Sequence, residues 1–147
     1  MDTEIKLLTK DDLDLMREVL EDDNMVFDAE SLGRFIDDKH SFGFIAKYDD
    51  KIVGFAYAYS LLRPDGKSMF YLHSIGLLSD YQNKGIGSEL MKYVLDYAKN
   101  NEYSECFVIT DKGNQRACHL YEKFGGKNNF EDEIVFVYDF EKPKVEF

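Results

Sequence analysis

The sequence predicts a single α/β domain over residues 1–147, with a mixed central sheet flanked by helices. Three observations predict it. Between residues 41 and 77 apolar side chains recur with period two, broken by the turn signals Asp49-Asp50 and Arg63-Pro64-Asp65-Gly66, which is the pattern of an antiparallel meander. After Gly85 the period changes to that of a helix, and a strand-like segment follows it, so the strands on either side should lie parallel with a right-handed crossover. Finally, 147 residues with 44% hydrophobic and 32% charged side chains suit one soluble core.

Taken in order, residues 4–8 read as a first strand, and Thr9 as the N-cap of a helix carrying Leu13, Met16 and Leu20 on one face. Asp28 should cap a shorter helix with Leu32, Phe35 and Ile36 inward, and the residues between these helices form a plausible substrate rim. Residues 41–48 form the next strand. In residues 52–62, Phe55, Tyr57 and Tyr59 share one face and Ala56 and Ala58 the other. Residues 70–77 form the central strand, the helix after the glycine loop runs to about Asn100, and residues 105–110 form the parallel strand. Asn114 caps a helix with Ala117, Leu120, Tyr121 and Phe124 on one face, stopped by Gly125-Gly126. Residues 127–130 and 134–140 are expected to close the sheet as a hairpin around Glu131-Asp132-Glu133.

The stretch Gln82-Asn83-Lys84-Gly85-Ile86-Gly87 stands between a strand and a helix. Glycine lets the backbone approach a ligand closely, and free amides at a helix N-terminus face an anion. Lys84 adds a positive charge. The spacing is too short for a Walker loop and lacks the first glycine of a dinucleotide fingerprint.

Other classes are disfavoured. A net charge of −11 argues against nucleic acid, which needs a basic stripe, and suits a cationic substrate. Approach of an anionic cofactor is opposed only at long range, where salt screens over about 8 Å. No apolar run approaches ~20 residues, so no membrane span is expected, and the acidic N-terminus lacks secretory features, so the cytoplasm is the expected compartment. Cys106 and Cys118 read as core residues, and His40, His73 and His119 form no metal-ligand pattern, so no metal is expected.

The glycine loop resembles the acyl-CoA pyrophosphate loop of the GCN5-related N-acetyltransferase (GNAT) superfamily, (Gln/Arg)-x-x-Gly-x-(Gly/Ala). The segment Asn114-x-x-Ala117-x-x-Leu120-Tyr121-x-Lys123-x-Gly125 resembles that superfamily's second signature, in the right place one strand later. Within it, the chain is most similar to the type I aminoglycoside 3-N-acetyltransferases, through Tyr59-x-Leu61-x-Arg63 and Val108-x-x-Asp111-x-Gly113. It departs from them where they carry a Tyr-Asp pair and this chain has His73-Ser74.

The resemblance implies a GNAT-type sheet whose parallel central strands splay apart to admit the cofactor, and transfer of acetyl from acetyl-CoA directly to a primary amine. Gln82, Asn83, Lys84, Gly85, Ile86 and Gly87 are implied to hold the pyrophosphate, with Asn114 beside them. The Ile75 amide would stabilise the thioester oxygen, and Leu77 would pair with pantetheine. Tyr121 would protonate the departing thiolate, its reference pKa of about 10 matching that acid. An amine must lose a proton before attacking, which suits a histidine base. A relative, serotonin N-acetyltransferase, has a histidine with that role at the position of His73. Tyr71, Ser74 and Asp111 are candidate acceptor contacts, Asp111 being the best-placed carboxylate for a cation of aminoglycoside or polyamine type. The alternatives are a peptide or protein amine as acceptor, or a non-catalytic acyl-CoA sensor; a homodimer stays open.

Overall fold

A computed structural model describes residues 2–128 and 132–141 of the chain. Its sheet has five strands in the order β1-β2-β3-β4-β5. The first four, β1 (Glu4–Leu7), β2 (Ser41–Tyr48), β3 (Lys51–Leu62) and β4 (Ser68–Leu77), pair antiparallel in sequence, as the turn signals predict. The last, β5 (Glu105–Phe107), is parallel to β4 and reached through helix α3 (Ile86–Asn100).

Helices cover both faces because β2 and β3 are apolar on both. On one face, α1 (Arg17–Asp22) and α2 (Ala29–Asp37) bring Met16, Val19, Leu20 and Leu32 against Ile45, Ile52 and Phe55. On the other, Leu90, Met91, Val94 and Ala98 of α3 pack on Phe44, Ala56, Ala58, Phe70 and Leu72. Tyr121 and Leu120 of α4 (Gln115–Lys123) join this second core. The small side chains Ala56 and Ala58 let α3 lie close to the sheet, while the tyrosines of β3 stand on the opposite face.

The first predicted helix is instead a 3-10 segment, Lys10–Leu15, followed by the short α1. Thr9 and Asp12 form a capping box over its start, and Asp12 is 2% exposed because Lys6 and Lys47 reach its carboxylate at 2.8 and 3.4 Å. An acidic first-turn residue thus doubles as a buried tie between this segment and β1 and β2.

Two expectations at the C-terminal side are corrected. The parallel strand ends at Phe107 rather than residue 110, because β4 and β5 pair only from Met69↔Glu105 to Tyr71↔Phe107 before diverging. The second limb of the expected closing hairpin, 134–140, forms no strand, and Ile134, Phe136 and Phe140 are 74%, 77% and 94% exposed. Strand propensity becomes a strand only where another backbone pairs with it, and these residues enter no ladder among the described residues. The other limb falls partly on residues 129–131, outside the described residues. No helix is long and apolar enough to cross a membrane among the described residues.

Candidate active site

β4 continues to Leu77, so its edge from Leu72 onward has no partner strand among the described residues. Ile75 pairs with Ala56 and Leu77 with Gly54 on the β3 side only. Immediately beyond, Ser79–Tyr81 make a 3-10 turn and the glycine loop begins.

Loop geometry follows from two left-handed residues. Asn83 has φ 62° and Gly85 φ 85°, and Gly85 is the N-cap of α3 without a side-chain capping bond. Among the described residues the amides from Asn83 to Ser88 donate to nothing, and the first donor of the new helix is Glu89, to the Gly85 carbonyl at 3.1 Å. Consecutive amides without a protein acceptor at the positive end of a helix dipole are an arrangement able to receive an anion. Lys84 is exposed in that loop and forms no ion pair among the described residues. Gly87 lies one residue inside the helix, where an added Cβ would meet Leu77 Cδ1 at an ordinary 3.5 Å.

Gln82 does more than flank the loop. Its side-chain amide donates to the Leu77 carbonyl at 3.1 Å, while its oxygen accepts from the Arg116 guanidinium. Arg116 therefore ties the start of α4 to the loop and, through Gln82, to the open end of β4. Lys123 adds a second tie, to Ser88 Oγ at 2.9 Å. Sequence reasoning missed Arg116. A cation in a helix's first turn opposes the dipole, and that misfit beside an expected anion loop was the available signal. Asn114 caps α4 as predicted, its Oδ1 accepting from the Ala117 amide at 3.1 Å.

On the α1/α2 face of β4 stands a cluster of rings. The Tyr71 hydroxyl and His73 Nδ1 lie 2.8 Å apart, Tyr71 stacks on Phe107 with centroids at 4.9 Å, and His73 lies 5.1 Å from the Tyr57 ring. A bulge explains why His73 and Ser74 both belong here. Tyr57 pairs with Ser74 and Ala58 with Leu72, leaving His73 as the extra residue, so alternation resets between them. Ser74 Oγ consequently approaches Asp23 of the α1–α2 connection, at 3.5 Å.

Tyr121 belongs to the opposite face. Burial, and then the neighbouring Cys118, raise its phenol above the ordinary value. No contact among the described residues joins it to His73; Tyr121 packs into the α3-side core, while His73 stands with Tyr57 on the other face of the sheet. Asp111 is exposed, its backbone carbonyl accepting from the Asn114 amide at 3.0 Å and its carboxylate in no contact among the described residues. Burial pushes the Cys106 thiol up to about 11, as suits a core residue. No group of three or more His, Cys, Asp or Glu placed to hold a metal occurs among the described residues.

The chain is similar to known proteins. The chain is 28% identical over 82 residues to the probable N-acetyltransferase san of Drosophila melanogaster, a match covering 55% of this chain and 44% of that protein. It is 29% identical over 62 residues to streptothricin acetyltransferase A of Bacillus subtilis (strain 168), covering 42% of this chain and 36% of that one. The matches thus span less than half the length of either relative. Among solved structures, an aminoglycoside acetyltransferase from an uncultured soil metagenomic sample, in complex with sisomicin, superposes with a TM-score of 0.77 at 25% identity, covering 95% of this chain and 97% of that one. The model of the Acetyltransferase (GNAT) family matches residues 12–126, and the chain belongs to that family.

Proposed function

We propose that this single domain transfers acetyl from acetyl-CoA directly to a primary amine on a cationic small molecule of aminoglycoside or polyamine type. The observation that carries the reading is the open β4 edge from Leu72 to Leu77, leading directly into a loop whose amides from Asn83 to Ser88 have no protein acceptor. An edge for a pantetheine amide and a nest for a pyrophosphate are the two contacts acetyl-CoA needs. Lys84 and Arg116 supply charge there, and Asn114 lines the same end of α4.

Each residue then has a task. The Ile75 amide, on the open edge, donates to the thioester oxygen as negative charge develops. His73, in the tautomer whose Nδ1–H donates to the Tyr71 oxygen, presents Nε2 to take the proton the amine must lose. The amine nitrogen bonds to the thioester carbon, the carbon–sulfur bond breaks, and the thiolate takes the Tyr121 proton. Ser74, Tyr71 and Asp111 are the acceptor contacts.

The test is thiol release from acetyl-CoA with a panel containing a polyamine, an aminoglycoside, an aryl amine and a peptide N-terminus. The polycations should be acetylated, with Asp111→Asn and added salt raising KM. Much faster acetylation of the aryl amine or the peptide, unchanged by Asp111→Asn, would overturn the cationic assignment.

A further inference from the structure

The bulge at His73 leaves an aromatic surface larger than proton transfer needs. Tyr57, Tyr59, Tyr71 and His73 form a closed quadrilateral: Tyr57–Tyr59 at 6.1 Å, Tyr59–Tyr71 at 6.4 Å, Tyr71–His73 at 5.4 Å and His73–Tyr57 at 5.1 Å between centroids. The three tyrosines are half-buried and His73 is exposed, so the rings are anchored below and open above. Phe35 of α2 fixes them from one side, meeting Tyr57 and Tyr59 edge-on at 6.2 and 6.5 Å.

Two carboxylates stand near this surface. Asp23 approaches from the α1–α2 connection, through Ser74, and Asp38 from the end of α2. Burial first, and then the Asp23 carboxylate, push the Tyr57 phenol up to about 12; burial and then Tyr71 and Asp38 raise Tyr59. Protein cations stack on Phe27, Tyr81 and Phe124, and none of these contacts among the described residues falls on the four rings. A packed ring surface with negative faces, a carboxylate rim and no resident cation is complementary to an alkylammonium.

We propose that Tyr57, Tyr59, Tyr71 and His73, rimmed by Asp23 and Asp38, form a platform for the second, non-reacting ammonium of a di- or polyamine acceptor. The idea rests on the amine-acetylating function proposed above and adds a division of labour. The reacting nitrogen gives up its proton before it attacks, so the charge that persists through the reaction sits on a different nitrogen. The platform holds that charged end over the tyrosine rings, while the reacting end lies at His73 Nε2. An acceptor with one amine has nothing to place there.

The test separates the platform from the reaction. Choline, which cannot be acetylated on its quaternary nitrogen, and its uncharged isostere dimethylbutanol are titrated into the CoA-supplemented protein while tyrosine ring proton shifts are followed. Choline should bind saturably and at least about tenfold more tightly than the isostere. Tyr59→Leu should abolish the difference, Tyr59→Phe should keep it because the ring face rather than the hydroxyl is used, and Asp23→Asn should weaken choline several-fold. Equal binding of both probes, or unchanged choline affinity in a folded Tyr59→Leu protein, overturns the platform. Acetylation of polyamines alongside equal probe binding would reject the platform and leave the activity standing. Selective choline binding with no amine acetylated would do the reverse.

Discussion

The Tyr71 hydroxyl lies 2.8 Å from His73 Nδ1, and the two side chains share a face of β4 where its pairing with β5 ends. A hydrogen bond at Nδ1 decides what Nε2 can do. With Nδ1–H donating to the tyrosine oxygen, Nε2 is left as a proton acceptor.

His73→Gln should therefore lower kcat by roughly 10²-fold or more. Tyr71→Phe keeps the ring stacked on Phe107 and should cost about tenfold by loosening the imidazole. Full turnover in His73→Gln would assign proton removal to another group.

Tyr121→Phe removes only a hydroxyl from a half-buried ring, so the melting temperature should hardly change. Because burial raises this phenol, it remains protonated and able to donate across the neutral range. Turnover should fall roughly 10²-fold, with KM for acetyl-CoA close to that of the parent. Full activity in the variant would hand thiolate protonation to water.

Gly85 and Gly87 should respond differently, although both stand in the same motif. Gly85 has φ 85°, where a side chain is strained by about 1–2 kcal/mol even though a Cβ there would meet nothing within 4 Å. Gly85→Val should thus leave the protein folded but redirect the loop amides, weakening acetyl-CoA at least tenfold by calorimetry. Gly87→Ala sits in regular helix with ordinary contacts and should bind nearly as the parent does. Equal losses at both positions would mean that close approach of the ligand, not backbone direction, selects glycine.

Asp12 sets the acid stability. Burial alone would raise its carboxyl, but the hydrogen bond from Lys6, those from the Thr9 amide and hydroxyl, and the Lys6 charge outweigh it and hold the group below its ordinary 3.8. A carboxyl lowered on folding contributes stability that is complete above the unfolded value and lost as pH falls through the folded one. Asp12→Asn should cost about 2 kcal/mol at neutral pH. That gap should shrink on acidification below 3.8, followed by denaturant titration. A gap independent of pH would show that the capping bonds, not the charge, matter.

How much of this was legible depended on whether a feature has a period. The meander, the α3 crossover, the Asn114 cap and the two faces of β3 all follow from alternation and turn chemistry, and were read correctly. The bulge that brings His73 and Ser74 to one face leaves no trace in a pattern of period two, so Ser74's approach to Asp23 could not be read. Arg116 and Asp12 act through partners 34 and 35 residues away, Gln82 and Lys47, which spacing along a helix does not reveal. The 134–140 segment failed for a third reason: its composition suits a strand, but pairing is a property of two backbones.

The most direct test of the central claim is an acetyl-CoA titration followed by backbone amide NMR. If the cofactor is held jointly by the open strand and the loop, amide resonances from Leu72 to Leu77 and from Asn83 to Ser88 should move together and saturate with one dissociation constant. Movement of neither set would contradict the account. So would movement of the loop amides alone, which would leave an anion site without the strand contact that brings a thioester to His73 and Tyr121.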